Sequence, residues 1–276
     1  MSHSFASRYL TATRYALLEQ ARNRLALGLV VVFIPIWYYF GELFTTADEM
    51  VDFKFRVTGV FLHVSARQLT LLTLGLNAMT LIVGFMFFAS TRKNTLFDRR
   101  LVLSGYPQVV LILAKLTALV VGAALVSLYT SAVLLIFWRP NALPVVWLGF
   151  FTAALIYGAL GLLLGVLVKN ELAGFFVIIM VSLTDTFIQN PLGNPAASQD
   201  IVKAFPSYGS TQFYVAGGFT NLLPGTYLLI ALAWFAGFAA LGLLIFWWRT
   251  RARSIQTAPL AIPLAASLES ASPQAR

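Results

Sequence analysis

The chain has 276 residues, of which 59% are hydrophobic and only 11% charged, with a formal net charge of +9. A soluble domain carries roughly a quarter charged residues, so this composition, with its long apolar runs, excludes an ordinary soluble protein and indicates a polytopic membrane protein. The lack of cysteine excludes a disulfide framework, a thiolate metal site and a cysteine nucleophile, and the two histidines, His3 and His63, are too far apart in sequence to suggest a zinc site.

The first element is the basic stretch RYLTATRYALLEQARNRLA. Leu10, Leu17, Leu18, Ala21 and Leu25 recur at helical spacing, with Arg14, Arg22 and Arg24 largely between them. This predicts an amphipathic helix over about 8–24, lying on the membrane surface. Six apolar spans follow, at about 25–43, 68–89, 116–138, 145–168, 172–189 and 227–248. Each is close to the ~20 residues needed to cross a ~30 Å core. The first is long and has no A-x-A-like site after it, so it reads as a retained signal anchor. Pro35 lies inside it and is expected to bend the helix.

After the first span, DFKFRVT alternates Phe53, Phe55 and Val57 with Lys54, Arg56 and Thr58, a strand pattern too short for a domain. Asn77, within the second span, needs a hydrogen-bond partner facing the bundle or a cavity. The polar segment STRKNTLFDRRLVLSGYPQ then exceeds what a turn requires. From Thr95 it predicts one short amphipathic helix, with Leu96, Leu101 and Leu103 on its apolar side, Asp98, Arg99 and Arg100 on its polar side, and Gly105 and Pro107 ending it. The following run, 108–138, would be ~46 Å long as a helix. Its first turns should project past the bilayer core, with Lys115 snorkelling to the headgroups.

The fourth span contains GALGLLLGVL, in which Gly161 and Gly165 are spaced for close helix packing, either within the chain or between chains. The fifth contains VSLTDTFIQNP, where Asp185 is the one clear ionisable group in a span and Thr184, Thr186 and Gln189 are its neighbours. Two readings stay open for Asp185: a polar lining for a translocation path, or a side chain about 7 Å from the helix end that reaches the outer headgroups. In the long loop before the sixth span, 199–205 and 211–215 suggest short helices at the outer interface. The segment 254–276 is rich in Ala, Pro and Ser, without periodicity, and is expected to be disordered.

An even number of spans puts both termini on one side. Fourteen of the 19 lysines and arginines fall on that side and five on the other. The positive-inside rule makes it cytoplasmic, in a cell (plasma or inner) membrane. Orientation thus accounts for the basic charge, and nucleic acid is not expected as a partner. The sequence has no P-loop, no HExxH, no convincing internal repeat and no catalytic constellation. ATP hydrolysis is therefore not expected on this chain, and the scarcity of charge within the spans disfavours ion-coupled transport. A secondary transporter or channel working without an ATPase is the alternative to an ATP-driven exporter, and a lipid-modifying membrane enzyme is a third reading.

The order of these features resembles the permease subunits of type-2 ATP-binding-cassette transporters, the family of drug, lipid and polysaccharide exporters. A surface helix precedes six spans, and NTLFDRRLVLSGYPQVVLILAKLTALV is similar to the family's coupling segment. Thr95 and Leu96 match its Thr-Leu, Leu103, Ser104 and Pro107 its Leu-Ser/Thr-Pro step, and Lys115 and Leu116 its Lys-Leu. Asn94 stands where the family often has Gly, and Arg92 and Lys93 stand where acids are common. The resemblance implies a pair of permease chains, identical or mixed, above two separate ATPase subunits that carry ATP and Mg²⁺. It implies an ATPase-coupling helix made of Thr95, Leu96, Asp98, Arg99, Arg100, Leu103 and Ser104. It also implies a path lined by the first, second and fifth spans, with Asn77, Thr184, Asp185 and Gln189 as lining candidates. Membrane lipids complete the expected partners, and an amphipathic, lipid-like or drug-like cargo suits the apolar spans best.

Overall fold

The computed structural model describes residues 5–46 and 49–251. The predicted tail at 254–276 lies outside them. The architecture is that of an all-α polytopic membrane protein with one small hairpin. The α-helices are α1 (Phe5–Arg22), α2 (Arg24–Phe44), α3 (Ala66–Leu103), α4 (Gln108–Phe137), α5 (Leu143–Leu167), α6 (Glu171–Gln189), α7 (Tyr208–Phe219) and α8 (Gly225–Arg251). All but α1 and α7 are long and apolar enough to cross a membrane, six in total. Strands β1 (Met50–Lys54) and β2 (Phe61–Ser65) pair antiparallel between α2 and α3, with Asp52 opposite His63. We call the end at which α2 begins and α3 finishes the basic end, and the hairpin end the opposite end.

The chain breaks between α1 and α2 at Asn23, whose side chain accepts a hydrogen bond from the Ala26 amide at 3.2 Å. Leu25 therefore belongs to α2 and is not part of the surface helix. No residue of α1 is buried, and Leu10 and Leu18 are exposed. That is the arrangement of a helix lying along a surface. Its inner side rests on α4 through Tyr9 Oη to Thr117 Oγ1 at 2.6 Å, and on the turn between α3 and α4 through Tyr106 Oη, which donates to the Arg8 carbonyl at 2.8 Å.

α3 corrects one expectation. The second span and the short helix expected from Thr95 are a single helix of 38 residues, ~57 Å at 1.5 Å per residue. The segment 85–103 contains neither Gly nor Pro, so the change from apolar to polar side chains gives the backbone no reason to stop. The helix ends where the chemistry demands it. Gly105 adopts a positive φ of 88°, the Gly105 amide bonds the Val102 carbonyl, and the Tyr106 amide bonds the Leu101 carbonyl, both at 3.0 Å. These bonds form a Schellman cap, and Pro107 then starts α4.

α5 is the central helix, with a nearly continuous buried surface along its length. Its glycines set the closest approaches. A Cβ on Gly161 would lie 2.3 Å from the Gly84 carbonyl oxygen of α3, and one on Gly165 would lie 2.7 Å from Thr91 Cβ. The small-residue spacing thus serves packing of α5 on α3 within the chain. α8 runs along α5 with Ala231 its buried apolar residue, and leaves Leu229, Leu241 and Leu244 exposed for lipid.

α7 corrects a second expectation. The sequence places 211–215 at the outer interface, but residues 208–218 are all buried. α7 packs back between α5 and α8. A Cβ on Gly217 would meet the Val146 amide nitrogen at 2.5 Å, and one on Gly209 the Tyr227 carbonyl oxygen at 2.4 Å. Thr152 and Ser210 satisfy one another across this contact at 2.9 Å. The expected short helix near 199–205 is present as a 3₁₀ turn, Asp200–Ala204. The strand read through DFKFRVT ends at Lys54 and the chain turns from there, yet Phe55 is buried in the core and Phe53 packs against it.

Candidate functional sites: a polar seam in the bundle and a projecting helix

The polar residues of α6 are sorted by helical geometry. Gly174, Ile178, Ser182, Asp185, Thr186 and Gln189 form its buried stripe, at spacings that keep them on one face. Leu172, Phe176, Met180, Leu183 and Phe187 are exposed. The four residues expected along a path therefore do not form one cluster. Thr184 is exposed, outside the buried stripe. Asn77 of α3 donates to Ser182 Oγ at 3.4 Å and to Thr186 Oγ1 at 3.5 Å, and Thr80 Oγ1 lies 2.9 Å from Ser182 Oγ. This gives Asn77 the bundle-facing partner that its position requires. Ser182 and Thr80 escape a search for unusual groups, because small hydroxyl residues are common in membrane helices; the helical spacing of Ser182 from Asp185 is the one signal for it.

Asp185 and Gln189 belong to a second group. Asp185 is 1% exposed. Its Oδ2 accepts from Tyr157 Oη of α5 at 2.7 Å and from the Ser207 amide at 2.9 Å, and its Oδ1 accepts from Gln189 Nε2 at 3.4 Å. Gln189 Nε2 also donates to the Val202 carbonyl at 3.2 Å. The carboxyl group therefore does not extend to the outer headgroups. It joins α6 to α5 and holds the backbone at the entry to α7, where an unpaired buried amide would otherwise be costly.

Beyond the seam, at the opposite end, Asp200 pairs with Lys203 at 2.8 Å and with Arg56 of the hairpin loop at 3.2 Å. These two cations, Lys203 foremost, hold the Asp200 carboxyl below the usual carboxylate range.

At the basic end, the last fourteen residues of α3, 90–103, extend beyond the predicted span, and they too are sorted by face. Asn94, Asp98 and Leu101 turn inward to a cavity of about 450 Å³ shared with α1 and α4, and the exposed Phe97 also lines it. Asp98 is buried and pairs with Lys115 of α4. Asn94 Nδ2 and Ser90 Oγ donate to Glu19 of α1, at 2.5 and 3.1 Å. Leu96, Phe97 and Leu103 are more than 60% exposed, with Arg100 exposed beside them. Thr95 and Ser104 spend their hydroxyls on carbonyls of their own helix, Thr91 at 2.7 Å and Leu101 at 2.8 Å. Arg99 is half-buried.

Two expectations are thereby corrected. Leu96 and Leu103 face out and Asp98 faces in, against the amphipathic reading, while Leu101 faces in and Arg100 out as it expected; the helix continues straight out of α3 and its register is fixed by the span. Lys115 does not snorkel to the headgroups, since a buried acid lies within reach. Among the described residues no group of three or more His, Cys, Asp or Glu side chains is placed to hold a metal ion. No protein-family model matches the chain, and no curated protein matches it either.

Proposed function

We propose that the chain is the membrane-spanning permease subunit of an ATP-driven exporter, with its basic end in the cytoplasm and ATP hydrolysis carried by a separate subunit. One observation carries this reading: the projecting end of α3 is held rigidly from behind and left apolar in front. Behind it, Asp98–Lys115 and the Glu19 bonds fix it to α4 and α1. In front, Leu96, Arg100 and Leu103 are exposed on a helix too long to end inside a ~30 Å core. Exposed apolar side chains with a neighbouring arginine are the composition of a protein-docking face. A partner seated there would push or pull on an unbroken helix. α3 is also the main partner of α5, through Gly161 and Gly165, so force applied at residue 100 reaches the centre of the bundle without crossing a hinge.

In this reading Thr95, Leu96, Arg99, Arg100, Leu103 and Ser104 border the ATPase contact, while Asp98 positions the helix and does not touch the partner. A second permease chain would complete the path, and the cargo is amphipathic, lipid-like or drug-like. Within one chain Asn77, Asp185 and Gln189 are engaged in internal bonds, so their part in the path is to set the position of α6. Thr184, on the exposed side, is the member of the set able to face a cargo directly.

The test is recovery of the tagged chain from a gentle detergent extract, with mass spectrometry of stoichiometric partners. A P-loop ATPase should accompany the wild type and be lost from Leu96→Glu plus Leu103→Glu, and from Arg99→Glu plus Arg100→Glu. Recovery of the chain with no ATPase would overturn the reading.

A further inference from the structure

A second surface at the basic end is distinct from the docking face. The break at Asn23 brings Arg22 of α1 and Arg24 of α2 beside Arg92 and Lys93 of α3 and Glu171 at the start of α6, around a cleft of about 760 Å³. Four cations thus converge from three helices, against Glu171 and Glu19. Glu19 is already engaged by Ser90 and Asn94. Arg92 donates to the Val168 carbonyl at 2.7 Å and to that of Lys169, closing the end of α5, while its buried Nε has no partner. Arg22, Arg24 and Lys93 are exposed and form no ion pair among the described residues.

The depth of the cleft is what identifies the ligand. It lies where α2 and α6 begin and a few residues past the predicted end of the second span, which is headgroup level. Immediately deeper, Leu25 and Leu27 of α2 and Leu172 and Phe176 of α6 are exposed. A free anion would use only the basic part of this surface. A diacyl lipid would use both, its phosphate among the cations and its chains along the leucines and phenylalanine. Basic pockets between membrane helices on the cytoplasmic side have this chemistry. A purely orientation-setting set of charges needs no convergence.

We propose that this cleft binds the phosphate headgroup of an anionic phospholipid. The proposal does not depend on export. The full chain in detergent is titrated with short-chain phosphatidylglycerol, short-chain phosphatidylcholine or inorganic phosphate, and bound lipid is counted by native mass spectrometry. The wild type should hold phosphatidylglycerol at least tenfold more tightly than phosphatidylcholine, and equimolar phosphate should not displace it. Removing two cleft charges, Arg24→Gln with Lys93→Gln, should weaken phosphatidylglycerol roughly thirtyfold. Removing two charges from α1 at the same end, Arg8→Gln with Arg14→Gln, should change it less than twofold. Equal losses in the two double variants would reduce the effect to general charge attraction and overturn the site. Equal affinity of the wild type for the two lipids would do the same without any variant, and displacement by equimolar phosphate would make it an ion site and not a lipid site.

Discussion

At the level of single residues, the close approach of α3 and α5 is the most demanding feature. Gly161→Ala adds a methyl group where the Gly84 carbonyl oxygen leaves 2.3 Å. Backbone cannot rotate away as a side chain does, so the helices must separate, at about 1–3 kcal/mol. Gly28→Ala, in α2 with nothing within 4 Å of its added carbon, is the matched comparison. It should be neutral or stabilising by about 0.5–1 kcal/mol. Thermal unfolding of the two variants in the same detergent separates crowding from helix propensity. Asp185 permits a second comparison. Asp185→Ala leaves the buried Ser207 amide without an acceptor, at about 1–3 kcal/mol, and leaves the Tyr157 hydroxyl only the Val181 carbonyl at 3.5 Å. Asp185→Asn keeps an oxygen for both and should retain most of the stability; an equal loss in the two variants would mean that charge, not hydrogen bonding, matters there. The sequence discloses that Gly161 and Gly165 are packing positions and that Asp185 is unusual. It does not disclose what they meet, because a partner such as the Ser207 amide is backbone and leaves no trace in residue type.

Among the elements, α3 shows how far periodicity can be read and where it fails. The span was legible from its length and apolarity, and the stop from Gly105 and Pro107. The facing of 90–103 was not, because a helix that leaves the membrane keeps the register of the span, whatever its new side chains favour. Leu96 and Leu103 face outward for that reason, and Asp98 is buried. The Asp98–Lys115 pair has one partner 7% and the other 26% exposed, so removing the acid should cost less than the 3–5 kcal/mol of a fully buried pair. Asp98→Asn should destabilise by about 1–3 kcal/mol, and Lys115→Met added to it should recover part of the loss, with a coupling of about 0.5–3 kcal/mol in the double-mutant cycle. Additive losses would show that the two side chains act separately. α7 failed for a different reason. The short helix expected at 211–215 is present, but not at the outer interface, because its glycines and hydroxyl residues let it approach α5 and α8 backbone to backbone. The loop that leads into it is tied to the hairpin through Asp200. Because the folded-state acid is shifted downward, that tie is fully present above the ordinary aspartate range, ~3.9, and is lost as pH falls through the lower folded value. Proteolysis around 199–205 should therefore be constant from neutral pH down to about 5 and change only in stronger acid, whereas Asp200→Asn should abolish the pH response.

For the whole molecule, the distribution of charge makes the prediction on which the others depend. The six spans were legible because apolar runs of this length have few alternatives in the sequence. Their sidedness rests on counting lysines and arginines, a statement about insertion and not about any contact in the fold. The chain has no cysteine, so one introduced thiol is the whole signal. Val60→Cys lies in the hairpin loop and Ser104→Cys at the tip of α3, both at exposed positions and separated by the full length of the longest helix. In intact cells an impermeant maleimide should label Val60→Cys and leave Ser104→Cys untouched until the membrane is opened. The reverse pattern would place Leu96, Phe97 and Leu103 outside the cell, beyond the reach of any ATP-hydrolysing partner. It would remove the exporter reading, while the basic cleft would remain a site at headgroup depth in the other leaflet. Orientation therefore separates the two proposals: coupling to an ATPase requires a cytoplasmic basic end, and lipid binding requires only that the cleft lie at the level of the headgroups.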